Sequence, residues 1–386
     1  MISMEEDKLP ELISSLIKIP SVSYSRELWD IGSFISDWFK ENGISAKTIK
    51  INDSPMVIAS VGKGKRRIML NGHMDVVPEG SRKKWRCDPF SGKRHNGRIY
   101  GRGSSDMKAG LGVLMNATKE LADRIDYRID FVAVPDEEVE GKGSLYLSER
   151  YKPDAVFLAE PSNSELIGIG EKGILQLSLI AKGRSVHSSL ASKGENAIMK
   201  MSETLSNVSK VSEIKTEVPK GLKEAMETSL QIYGKDAGRI TFNAAMISGG
   251  ERANVVPAEC KATVDMRIPP GTTSDKVLSW IGKNSDGCDI IKEDESDPTY
   301  TSQDNIYVKS LIESARRFVK GARPYIILGA TDGRFFRERG IPAIKFGPGR
   351  LEEAHTANES VSEKEIIIAD KIYMDFLTGL NKTPFA

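Results

Sequence analysis

Only three of the 386 residues are cysteine and only four are histidine. The cysteines, Cys87, Cys260 and Cys288, are far apart, odd in number and form no C-x-x-C pair. That excludes a disulfide framework and a cysteine-built zinc module, and it reads as reduced thiols in the cytoplasm. Aromatic residues make up 7% and charged residues 28%, which excludes collagen-like and disordered chains. No apolar run reaches the roughly 18 residues that a membrane helix needs. The segment Met1–Pro20 sets Glu5, Glu6, Asp7 and Lys8 ahead of its apolar residues, the wrong layout for a signal peptide. An excess of one charge is missing too. Lys plus Arg is 55 and Asp plus Glu is 54, a net charge of +1, so neither nucleic acid nor an anionic membrane is expected as a partner.

The length suits two or three domains at roughly 100–200 residues each. Leu9, Leu12, Ile13, Leu16 and Ile17 fall at helical spacing and stop before Pro20, and residues 25–42 repeat that pattern. Short apolar runs at Met56–Val61, Arg67–Asn71, Arg98–Tyr100, Ile129–Val134, Ala155–Leu158 and Leu166–Ile169 read as strands, with a helix near Met107–Leu121. Helices alternating with strands predict an α/β layered domain. The pattern changes near Gly173. Ile174–Ala181 alternates, with Leu175, Leu177 and Leu179 on one face and Gln176 and Ser178 on the other, a half-buried antiparallel strand. A helix (195–213), strands Ile240–Ile247 and Ala258–Ile268, a helix (274–283) and a strand (288–293) follow. This β-α-β-β-α-β order is that of the split ferredoxin-like unit. The expected division is catalytic residues 1–173 and 298–386 around an inserted 174–297.

Chemistry-bearing residues gather in short segments. His73 lies in Gly72-His-Met-Asp75, directly after a strand, where Asp75 suits a carboxylate supporting a ligating imidazole. Asp106 closes the Gly-rich turn Tyr100-Gly-Arg-Gly-Ser-Ser-Asp106 before a helix, a place where Asp commonly serves as an N-cap. Asp136, Glu137 and Glu138 follow the strand ending at Val134. Glu160 follows the strand ending at Leu158, and His355 sits in Ala354-His-Thr-Ala-Asn-Glu359. Near a metal, one of two adjacent carboxylates can ligate while the other takes a proton from water. Most of these residues stand at strand ends, where α/β folds place their sites. Mixed N/O donors suit zinc, with cobalt or manganese as alternatives. His95, in a polar loop, reads as a solvated residue. Gly168-Ile-Gly-Glu-Lys-Gly173 satisfies G-x-G-x-x-G, but a strand follows it where a dinucleotide site needs a helix.

The ordered set Ile19-Pro-Ser-Val-Ser23, Gly-His-Met-Asp, Gly-Arg-Gly-Ser-Ser-Asp-Met-Lys, Asp-Glu-Glu, Glu-Pro-Ser and the late His resembles the di-zinc amidohydrolase and carboxypeptidase family. That family includes acetylornithine deacetylase, succinyl-diaminopimelate desuccinylase, aminoacylase and glutamate carboxypeptidase. The resemblance spans essentially the whole chain. It implies a mixed-sheet, zinc-exopeptidase-like catalytic domain with an inserted ferredoxin-like lid and dimerisation domain. It also implies two divalent ions per chain. His73 and Glu160 would hold one, Glu138 and His355 the other, and Asp106 would bridge them. Asp75 would orient His73, and Glu137 would be general base and then acid. Gly183-Arg-Ser-Val-His-Ser188 is similar to the family's lid motif, so His187 would help bind the oxyanion across a homodimer interface. Arg267, in Asp265-Met-Arg267, would clamp a substrate carboxylate with Asn254 assisting, or else pair with Asp265. Thr331, in Gly329-Ala-Thr-Asp-Gly-Arg334, fits a substrate-side loop.

The implied function is hydrolysis of the amide of an N-acyl amino acid, with a carboxypeptidase or dipeptidase as the alternative. Glu171-Lys-Gly-Ile174 stands where bacterial desuccinylases carry Arg-Arg-Gly-Ser, whereas Thr331-Asp-Gly-Arg is nearer their pattern. The acyl group and the amine therefore stay open.

Overall fold

The parallel core of the fold is legible in its burial: β6 (Arg128–Val134) and β7 (Ala155–Leu158) carry scarcely an exposed side chain, as strands covered on both faces must. The computed structural model describes residues 7–382, so Glu5 and Glu6 of the N-terminal segment lie outside the described residues. Its chain divides into two units. One holds the residues up to Ile169, Thr301–Pro324 and those from Thr331 onward; the other holds Gly170–Tyr300 and Tyr325–Ala330. The junctions therefore fall at 169/170 and 300/301, not at 173/174 and 297/298. The segment Tyr325–Ala330 joins the inserted unit through hydrogen bonds. The Ser229 hydroxyl donates to the Ile326 carbonyl (3.1 Å) and accepts from its amide (2.7 Å).

In chain order, the first unit begins with α1 (Lys8–Ile17), α2 (Leu28–Glu41), β1 (Ala46–Ile51), β2 (Ser54–Val61), β3 (Arg67–His73), β4 (Lys93–His95), β5 (Arg98–Tyr100) and α3 (Ala109–Glu120). After β6 come α4 (Lys142–Arg150), β7 and β8 (Leu166–Glu171). The inserted unit carries β9 (Gly173–Lys182), α5 (Ala197–Val208), α6 (Lys223–Tyr233), β10 (Thr241–Gly249), β11 (Glu259–Ile268), α7 (Ser274–Asn284), β12 (Asp289–Ser296) and β13 (Thr299–Tyr300). The chain ends with α8 (Ile306–Phe318), β14 (Arg323–Ile327), α9 (Gly333–Arg337), β15 (Ala343–Lys345), β16 (Ser360–Ser362) and α10 (Glu363–Gly379).

The large sheet runs β1-β2-β6-β3-β7-β15-β8-β13, with β14 paired to β8. Its centre is parallel: β3 pairs in parallel with β6 and with β7, and β7 with β15. Its margins are antiparallel. The mixed α/β fold is thus the expected one. Four parallel strands open their C-terminal ends on one edge, the place where such sheets collect functional side chains.

The inserted sheet is antiparallel in the order β10-β11-β9-β12, the order of a split ferredoxin-like unit. Leu175, Leu177 and Leu179 of β9 and Val264 and Met266 of β11 form its core with Ala197 and Met201 of α5 and Val277 and Ile281 of α7. Elements that escape the sequence patterns include β1, β4, α4 and α6, and those from Thr299 on are expected only as a return to α/β character. α4 is short and polar and is capped by Gly141 in the left-handed region. It is held by Leu147, which is buried in one core cluster with Phe336 of α9.

Candidate active site

Each parallel strand delivers one part of the site. His73 is the last residue of β3, and its ring is buried. Glu137 and Glu138 follow β6, and Glu160 follows β7. Asp106 comes from a tight turn, Ser104–Lys108, ahead of α3, and His355 from the loop before β16. The Ala159 carbonyl is enclosed by two glycines. A Cβ on Gly110 would lie 1.8 Å from it and one on Gly347 2.2 Å, so only glycine lets α3 and the 347 loop close on the segment presenting Glu160.

Asp106 stands between the two imidazoles. Its Oδ1 is 3.0 Å from His73 Nε2 and its Oδ2 is 3.5 Å from His355 Nε2. His73 Nε2 is also 3.5 Å from Glu160 Oε1, and His355 Nε2 is 3.0 Å from Glu138 Oε2. Ligand atoms of His73, Asp106 and Glu138 lie within 4.8 Å of one another, as do those of His73, Glu137 and Glu160. The five expected ligands and Glu137 therefore come together.

The buried Asp75 does more than its position in the motif indicated. The Nδ1 of His73 meets the Asp75 backbone carbonyl at 2.9 Å and its carboxylate at 3.5 Å. That carboxylate accepts from the Ser23 hydroxyl (2.7 Å) and from the amides of Glu137 (3.2 Å) and Glu138 (3.3 Å). One residue thus orients the imidazole and ties down the loop of the two glutamates.

The charges are concentrated. Burial opposes the charged forms of His73 and of Asp106. Hydrogen bonds outweigh it, holding the His73 ring well above and the Asp106 carboxyl well below their usual ranges. Hydrogen bonds to Asp106 and Glu138 hold His355 up at about 10. Burial, then the Glu160 charge, pushes Glu137 well above the usual carboxylate range. Burial, then Asp106, pushes Glu160 up to about 7, while His73 and Lys345 oppose that rise. The surrounding carboxylates favour positive charge at both imidazoles. A divalent cation at each imidazole answers the same demand with N/O donors that suit zinc.

Comparison with known proteins decides the family. The model of peptidase family M20/M25/M40 matches residues 69–379. The chain belongs to that family. It is an enzyme, a hydrolase of the peptidase and amidohydrolase class. It is 27% identical over 402 residues, 96% of this chain and 97% of the relative, to a probable succinyl-diaminopimelate desuccinylase of Staphylococcus epidermidis. Among solved structures, it matches an M20 family metallo-carboxypeptidase from Sulfolobus solfataricus with a TM-score of 0.77 at 22% identity, covering 96% of this chain and 99% of that one. A tripeptidase from Staphylococcus aureus matches with a TM-score of 0.78 at 19% identity, covering 98% and 99%.

Other expected site residues of this M20-family chain lie in the inserted unit, with partners of their own. His187 is exposed, and its Nδ1 is 2.8 Å from the Ser189 hydroxyl. The Asn254 carbonyl accepts from the Ser188 amide (2.9 Å). Arg267 holds Asp265 bidentately, with Nε to Oδ1 at 3.0 Å and Nη2 to Oδ2 at 3.2 Å, and Gln176 braces Asp265 at 2.8 Å. In the first unit, Thr331 is buried and its hydroxyl accepts from the Gly333 amide at 3.2 Å. His95 lies exposed on β4.

Two further residues of the quoted motifs join the site's loops, Arg102 and Glu359. Arg102, in the Gly-Arg-Gly segment, is buried and donates to Glu359 at 2.6 Å. The other oxygen of Glu359 accepts from the Ser105 (2.8 Å) and Asp106 (3.1 Å) amides, and Arg102 also donates to the His355 carbonyl at 3.3 Å. This buried pair joins the turn of the bridging aspartate to the loop of the second histidine. The signal was present as an arginine and a glutamate inside two site motifs.

Proposed function

We propose that this M20-family hydrolase cleaves the amide bond of an N-acyl amino acid, as an acetylornithine deacetylase- or succinyl-diaminopimelate desuccinylase-like deacylase. The observation that carries the reading is Asp106 set between His73 and His355, with Glu160 and Glu138 flanking them and Glu137 alongside. His73 and Glu160 would hold one divalent ion, Glu138 and His355 a second, and Asp106 would bridge them, with zinc as first choice and cobalt or manganese as alternatives. Two such cations, when bound, supply Lewis acidity to water and to the scissile carbonyl. Glu137 takes the proton from the attacking water and passes it to the leaving amine. The burial that raises its carboxyl suits it to that exchange. Asp75 keeps the Glu137 and Glu138 backbone and the His73 ring in place for both steps. His187 would bind the oxyanion, and Arg267, with Asn254 and Thr331, the substrate carboxylate.

The second reading, a carboxypeptidase or dipeptidase, draws on the solved neighbours, which include a metallo-carboxypeptidase and a tripeptidase. The lid would also make the homodimer. β10 is an edge of its sheet and exposes Met246 and Ile247, and α5 exposes Met199. An open strand edge with apolar side chains is a pairing surface. Among the described residues no helix is long and apolar enough to cross a membrane. The three thiols are free, as suits the cytoplasm, where this reading puts the enzyme. The deciding experiment assays N-acetyl and N-succinyl amino acids beside dipeptides, with zinc and with cobalt. Turnover of acyl amino acids alone supports the deacylase, and turnover of dipeptides alone replaces it with the second reading.

A further inference from the structure

β15 runs parallel to β7 with Lys345 opposite Leu158, so the lysine ends its strand beside the turn that carries Glu160. Lys345 is buried, an unusual place for a lysine unless it is paired. The two oxygens of Glu160 face different ways. Oε1 is 3.5 Å from His73 Nε2, and Oε2 is 4.0 Å from Lys345 Nζ. The backbone holds this arrangement: the Phe346 amide donates to the Leu158 carbonyl at 2.8 Å, and Gly347 closes on Ala159. A fourth parallel strand therefore brings a cation to a site where the other three bring donors.

We infer that Lys345 is a positioning residue of the metal centre: its ammonium holds the outer oxygen of Glu160, so that this carboxylate meets a cation through Oε1 alone. The inference rests on the metal reading of the cluster given above. Its consequence is metal choice. Oxygen-rich sites that allow a carboxylate to chelate suit manganese, whereas few donors with imidazole suit zinc. A lysine that takes one carboxylate oxygen and adds a positive charge biases the His73 site toward zinc.

The test uses the full chain stripped of metal with a chelator and titrated with Zn2+ and with Mn2+ against a chromophoric competitor. In Lys345→Met the preference for zinc over manganese should fall by roughly tenfold or more at one of the two equivalents, the size typical when a supporting partner of a metal ligand is lost. The visible absorption of bound Co2+ should weaken as Glu160 begins to chelate and the coordination number rises. Lys345→Gln, which also removes the charge, gives the same reading if the methionine variant fails to fold. A folded variant with the wild-type metal preference and Co2+ spectrum overturns the inference. Wild-type protein that binds no divalent ion overturns the metal reading as well, so the two failures are told apart.

Discussion

Glu137 and Glu138 are neighbours in one loop, with both amides on the Asp75 carboxylate, and only Glu138 reaches His355. Glu137→Ala should therefore abolish turnover while elemental analysis still finds two metal equivalents per chain; loss of one equivalent would exchange the two roles. Arg267 offers a different test, because its Nε and Nη2 edge is already taken by Asp265, and a substrate carboxylate bound there, as proposed, would use the rest of the fork. Lysine keeps the charge but not the fork. In Arg267→Lys, kcat/KM for a carboxylate substrate should fall by about ten- to a hundredfold, from a charge-assisted contact of roughly 1.5–3 kcal/mol, and the carboxamide analogue should change little. Equal effects on both substrates would make Arg267 structural. Lys172 is buried in the inserted unit and donates to the carbonyls of Asp236 (3.0 Å) and Arg239 (2.7 Å). Burial holds it down at about 8, against an ordinary value of 10.5. Between those values the unfolded chain carries a proton that the folded chain has released, so rising pH stabilises the fold there. Denaturation of wild type and Lys172→Met at pH values across that window should show wild type gaining on the variant as pH rises. A constant difference would remove the effect.

Among the elements, β3, β6, β7, β15 and α3 carry the site, and the two glycines at Ala159 set how closely they meet. Gly110→Ala places a methyl 1.8 Å from the Ala159 carbonyl. It should destabilise the protein by about 1–3 kcal/mol, the usual penalty of overpacking, and lower the occupancy of the metal that Glu160 is proposed to hold. Gly282→Ala, in α7 with open space around its Cβ position, should stabilise by up to about 1 kcal/mol through helix propensity. Denaturation with metal analysis of both variants checks the pair. The helical pattern located α1, where one buried face repeats through Leu9, Ile13, Leu16 and Ile17, whereas continuous apolar runs located β6 and β7, which are covered on both faces. α4 was not legible, because a polar nine-residue helix owes its existence to packing rather than to its own pattern.

At the scale of the whole molecule, the question is whether one chain completes its own site. If His187 serves the metal pair of the partner in a two-fold dimer, two inactive variants can rescue each other. Glu137→Ala and His187→Ala, unfolded and refolded together, should then recover activity. Random mixing makes about half the dimers mixed, each with one intact site, so about a quarter of all sites should return. Action within one chain returns none, provided a size tag on one variant shows that chains have exchanged.

The sequence by itself determined which residues gather at the candidate site. His73, Asp106, Glu137, Glu138, Glu160 and His355 were legible because each sits in a short motif, most of them at strand ends, and residue type and local order are properties of the chain alone. The alternation after Gly173 likewise determined the antiparallel character of the inserted sheet. Only the tertiary structure decided what those residues lean on. Arg102 meets Glu359 across 257 positions, Ser23 meets Asp75 across 52, and Lys345 reaches Glu160 because β15 enters the sheet beside β7. The return of Tyr325–Ala330 to the inserted unit depends in the same way on the distant Ser229–Ile326 hydrogen bonds. Such pairings follow from strand order and register, which short-range pattern does not encode.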